Sequence, residues 1–250
     1  MKFLGQKPTR EFVRFVKEYE SALHLRITFL TMDSHPIDHY KRNVLGTFVL
    51  DKTKGLLIVY VNTRIIKDDN LPPISKEIIA AHEILHPWAD SIGFPVTQHS
   101  EKYSEDGPEA SAGSSLHSLI QHVPIDARLR ESGFDPFIVL RPKGLELLKR
   151  WETTELSNLD KADYKFFSES TFYIESQIRY PDDIAEAIKQ HLEQRNVEIF
   201  RIGERGLAII RESGCHEPEG ALAALIQLRD LFNLKEHGVF MFSPIHNKVY

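Results

Sequence analysis

The sequence predicts an α+β fold with a mostly helical C-terminal part, and three patterns predict it. Residues 8–23 place Phe12, Val13, Phe15, Val16 and Tyr19 at helical spacing behind Thr9, a residue type that caps helix N-termini. Residues 25–30 alternate with a period of two, and the apolar runs 44–50 and 56–61 flank a turn ending in Gly55, which reads as a strand followed by a hairpin. From Pro136 onward, residues 145–151, 162–178, 181–193 and 219–232 space their apolar side chains as helices do. The expected organisation is a small core of helix, antiparallel sheet and two further helices over residues 1–135, with a helical extension over residues 136–250 packed on it.

Between these elements the punctuation is strong. Residues 33–43 are polar and read as a loop that leaves His35 and His39 on the surface. Leu71-Pro72-Pro73-Ile74 breaks the chain, Ser75 is placed to cap a new helix, and Glu77 favours its first turn. Residues 97–113 are polar and read as a long exposed loop. A second helix is expected from Ser114 or Ser115, carrying Leu116, Leu119, Ile120 and Val123, with Pro124 breaking it and Gly133 closing the unit. Residues 197–202 fit either a short strand or the lead into another helix. The aromatic stripe of Phe166, Phe167, Phe172 and Tyr173 reads as core, and the apolar stretch 238–244 as a docking tail.

Composition narrows the function classes. Hydrophobic residues at 42% and charged residues at 27% belong to a soluble globular chain. No apolar run approaches the ~18 residues of a membrane-spanning helix, and residues 1–8 lack a signal-peptide core. A net charge of −5 gives no case for nucleic acid or an anionic membrane as partner. The single cysteine, Cys215, excludes an internal disulfide and fits a cytoplasmic protein. With Gly214 before it and Pro218 after it, Cys215 reads as an incidental thiol in a turn between helices.

The chemistry concentrates at Ala80-Ala81-His82-Glu83-Ile84-Leu85-His86, which reads H-E-x-x-H. Residues four apart share a helix face, so His82 and His86 can address one zinc ion while Glu83 takes a proton from its water. With 12 histidines and 22 glutamates in 250 residues, chance supplies about 0.05 such matches, so the helical context is what gives the motif weight. Pro87 directly follows the second histidine and is expected to kink or end the helix there. Ala89 and Ile92 exclude the extended form of the motif, which needs Gly and His at those positions.

The order of helix, strand, hairpin and H-E-x-x-H helix resembles the core of the zincin metallopeptidases, over roughly residues 25–135. Only the five-residue motif is specific. The resemblance implies His82 and His86 as zinc ligands, Glu83 as general base, and an edge strand that binds extended substrate by β-augmentation. It also implies a third ligand from a following segment, for which Glu101, Glu105, Asp106, Glu109, His117, His122 and Asp126 are candidates. His122 ranks first and Asp126 second because they lie four apart beside an apolar helix face, where Asp126 could orient the other ring nitrogen of His122. His117, Tyr103 and Arg128 are candidate oxyanion stabilisers. The expected function is a zinc-dependent peptidase acting on a peptide or protein. The alternative is a non-catalytic metal-binding regulatory module on the same scaffold.

Overall fold

The computed structural model describes residues 3–37, 44–68, 71–100, 104, 107–153 and 164–250. They form two units, Met1–Ser91 with Ile125–Pro142 and Ile92–Pro124 with Lys143–Tyr250, and the architecture is α+β.

In the first unit, α1 (Arg10–Leu23) starts where the sequence places it, with the Thr9 side chain accepting from the Phe12 N–H. Its apolar face, Phe12, Phe15, Val16 and Tyr19, is buried. The strands β1 (Arg26–Thr31), β2 (Gly46–Asp51) and β3 (Leu56–Val61) make a sheet in the order β1-β3-β2. The hairpin is antiparallel, with Gly46 opposite Val61 and Asp51 opposite Leu56. β1 runs parallel to β3, Arg26 opposite Leu56, so the sheet is mixed and not antiparallel as expected. Period-two alternation reports which face is buried and carries nothing about strand direction. The legible sign of a central strand lies in β3 itself, where Leu57, Val59, Tyr60 and Val61 are all buried.

A short helix unmarked by the sequence, α2 (Thr63–Asp68), follows β3. It is started by Asn62, whose Oδ1 accepts from the Ile65 N–H while its amide donates to the Val44 carbonyl. The helix α3 (Ser75–Ser91) packs on β2, β3 and α1. Ser75 is its first residue and does not cap it: the hydroxyl is buried with no hydrogen-bond partner among the described residues. Glu77 serves the other helix, accepting from both the backbone N–H and the hydroxyl of Thr9 at the start of α1. Pro87 lies inside α3, which continues to Ser91 instead of ending at His86.

The largest departure is α4 (Pro108–Glu131), a continuous helix where a loop, a helix and a break at Pro124 were expected. Polar composition at 97–113 hid β4 (Val96–His99) and the first turns of α4. Pro124 is accommodated because apolar side chains on both sides are buried: Leu116, Leu119 and Ile120 before it, Ile125 and Leu129 after it. In the first unit, Arg128 fixes the end of α4 by donating to the Tyr19 hydroxyl and to Glu18, both at 2.7 Å.

The second unit is built from α5 (Phe137–Thr153, from Lys143 on), α6 (Tyr164–Arg179), α7 (Asp182–Arg195), α8 (Val197–Ser213) and α9 (Pro218–Leu231). Its sheet pairs β4 with β5 (Val239–Ser243) and β5 with β6 (Lys248–Val249), all antiparallel. The apolar tail therefore docks as a strand, and residues 197–202 belong to a helix capped by Asn196. Trp151, Phe166, Tyr173, Ile188, Leu192 and Ile199 form the core, and the aromatic stripe contributes as expected. Cys215 is buried between α8 and α9, and burial pushes its thiol up to about 11, so it is inert at neutral pH. Among the described residues, no helix is long and apolar enough to cross a membrane.

Candidate metal centre

His82, Glu83 and His86 occupy the middle of α3, all half-buried. One helical turn brings the Nε2 atoms of His82 and His86 to 3.3 Å, with the rings nearly perpendicular at 85°. Tetrahedral zinc with Zn–N bonds of about 2.0–2.1 Å sets its nitrogens about 3.3–3.4 Å apart, so this pair has the spacing the ion requires.

Neighbouring side chains hold the two rings. Phe48 of β2 stacks on His86 with centroids 5.9 Å apart and planes at 19°. The buried carboxylate of Asp126 lies 3.9 Å from His82 Nδ1. A carboxylate on that side favours the ring proton at Nδ1 and leaves the Nε2 lone pair for a metal. Sequence reasoning expected Asp126 to serve His122 because the two are four apart. In the structure the Asp126 carboxylate also has His82 as a neighbour, within the first unit.

His122 sits one turn before Asp126 on the same continuous helix. On its other side, His122 Nδ1 is 2.7 Å from Arg179 Nη1 and 3.6 Å from Glu175 Oε1, and the same Arg179 nitrogen donates to Glu175 at 2.6 Å. Burial pushes the Glu175 carboxyl up, but the neighbouring His122 ring and the Arg179 charge outweigh it and hold the group at about 2. It is ionised at any ordinary pH. Beside His122 in the second unit, a cleft of about 290 Å³ is lined by the hydroxyls of Ser114, Ser115, Ser118, Ser168 and Thr171.

Glu83 approaches β2 at Gly46. A Cβ there would come within 2.9 Å of Glu83 Cγ and 2.6 Å of Ile79 Cγ2, so only glycine lets the strand pass this close. Gly46 and Phe48 were missed by sequence reasoning. The available signal was a glycine opening a β-branched run, which marks a close backbone approach.

The remaining candidates fall elsewhere. Glu101, Tyr103, Glu105, Asp106 and His39 lie outside the described residues. Glu109 lies in the first turn of α4 and His117 further along the same helix. Burial lowers His117 to about 4, and its Nε2 has no hydrogen-bond partner among the described residues, so it is a neutral ring at pH 7. Arg128 is committed to Tyr19, Glu18 and Glu131. His35, expected on the surface, is buried with its ring edge-on to Tyr60 at 4.7 Å. No family model, curated protein or solved structure matches the chain.

Proposed function

We propose that the protein is a zinc-dependent peptidase with a zincin-like core, in which His82, His86 and His122 hold the ion and Glu83 is the general base. The observation that carries this reading is a pair of imidazoles, His82 and His86, whose Nε2 atoms stand at the nitrogen spacing of tetrahedral zinc on the same helix as the acid Glu83. The donor set fits: imidazole suits zinc, and three protein ligands leave a position for water. Bound there, zinc would polarise a scissile carbonyl and acidify its water.

The chain's own groups supply the rest. Glu83 accepts the proton of the attacking water and delivers it to the leaving amide nitrogen. Asp126 and Phe48 keep the His82 and His86 rings turned to a common point. β2 is an edge strand among the described residues, and Gly46 sets it against Glu83, which supports an extended peptide or protein segment as substrate. The buried lone cysteine is consistent with a cytoplasmic location.

Elemental analysis of the purified protein, with zinc supplied, tests the centre. About one zinc per chain is expected, with loss in His82→Ala. Glu83→Gln should keep the metal and lower hydrolysis of a mixed peptide library by about 10²–10⁴-fold. Zinc without hydrolysis in the wild type would leave a non-catalytic metal-binding module. No zinc would remove the peptidase reading.

A further inference from the structure

Glu175 and Arg179 lie one turn apart on α6, and both address the same nitrogen of His122. Their chemistries are opposite. A guanidinium can only donate, so at 2.7 Å from Arg179 Nη1 the His122 Nδ1 must accept, which puts the neutral ring's proton on Nε2. A carboxylate can only accept, so pairing with Glu175 requires the proton on Nδ1 and leaves the lone pair on Nε2. A metal takes only a nitrogen that carries a lone pair. In this structure the guanidinium is the nearer group, 2.7 Å against 3.6 Å for the carboxylate.

We propose that Glu175 and Arg179 are a pair of positioning residues that select which His122 nitrogen is offered to a metal, Glu175 favouring binding and Arg179 opposing it. The inference rests on His122 being the third ligand. It concerns where the proton of a neutral ring resides, and no change of charge is involved. Arg179 and Glu175 are themselves joined at 2.6 Å, so a small rotation exchanges the partner of His122 without breaking their ion pair. On metal binding, the His122 ring proton moves from Nε2 to Nδ1, where Glu175 receives its hydrogen bond. No other bond is made or broken beyond the coordination itself.

The pair predicts opposite signs for two substitutions. Glu175→Gln leaves Arg179 as the dominant partner and should weaken zinc binding about 10–100-fold, the usual effect of removing a carboxylate behind a ligating histidine. Arg179→Met keeps the length of the buried side chain, leaves the Glu175 carboxylate beside Nδ1 without the competing guanidinium, and should tighten zinc binding several-fold. Affinities are read by chelator competition, with thermal unfolding of each metal-free variant confirming that it is folded. A merely structural pair would move both variants in the same direction, and that result, or unchanged affinities, overturns the proposal. A second readout needs no metal: long-range ¹H–¹⁵N spectra should show His122 protonated at Nε2 in the wild type and at Nδ1 in Arg179→Met. If the wild type bound no zinc, the functional reading would fall while this tautomer shift still tested the pair. No shift in Arg179→Met would overturn the selection whatever the zinc result.

Discussion

Helices α3 and α4 each carry a proline close to a site histidine, Pro87 directly after His86 and Pro124 two residues beyond His122, and each helix continues through it. Interior proline costs a helix about 3 kcal/mol by removing a donor and crowding the preceding turn. Each fully buried Leu or Ile returns roughly 1.5–3 kcal/mol. Ile84 and Leu85 before Pro87, and Ile120, Ile125 and Leu129 around Pro124, are almost completely buried, so packing outweighs the local break in both. The two helices differ in what this continuity does. In α3 the two histidines both precede the proline, and their spacing follows from one helical turn. In α4 the proline separates His122 from Asp126, and only an unbroken helix keeps those two residues in fixed relation. The lesson is that the first pair of donors is set locally, while His122 depends on packing along a whole helix.

If packing holds both helices, cutting it should cost both alike. Ile84→Ala and Ile125→Ala remove completely buried side chains, and each should lose about 2–5 kcal/mol of unfolding free energy by chemical denaturation. A loss below about 1 kcal/mol in either would mean that its helix is held by something other than the core. The next effect is smaller and sharper. Asp126→Asn removes the charge facing His82 Nδ1 at 3.9 Å and should weaken zinc binding about 10–100-fold, or about 1.4–2.7 kcal/mol. Unchanged affinity would show that α4 contributes no support to the α3 histidines.

The same contrast governs what the sequence disclosed. α1, the β2–β3 hairpin and the H-E-x-x-H segment were legible because each rests on local rules: a capping Thr9, a turn ending in Gly55, two histidines four apart. The parallel pairing of β1 was not, since direction is decided by a connection rather than by alternation. β4 was missed because it pairs with β5, more than a hundred residues away, and its own four residues carry little apolar signal. In the site, His122 was ranked on its helix face, but its partners Glu175 and Arg179 sit on α6 and nothing local points to them. The same holds for the second role of Glu77, which is a first-turn acid of its own helix as expected and also accepts from Thr9 at the start of α1.

The prolines themselves give the finest test of the comparison. Replacing Pro87 or Pro124 by alanine restores an N–H that can reach the carbonyl four residues back, at Glu83 or Ile120 respectively, and relieves the ring's crowding. Against this, alanine loosens the unfolded chain and gives back about 0.4–1 kcal/mol. Where packing has already absorbed the interruption, the terms nearly cancel, and both substitutions should change the unfolding free energy by less than about 1 kcal/mol. A gain near the full 3 kcal/mol at Pro124 alone would show strain stored in α4 and not in α3. In that case the zinc affinity of Pro124→Ala should also change, because relaxing the helix would turn His122 relative to Asp126. Unchanged stability together with unchanged zinc affinity would show that the two helices carry their prolines on the same terms.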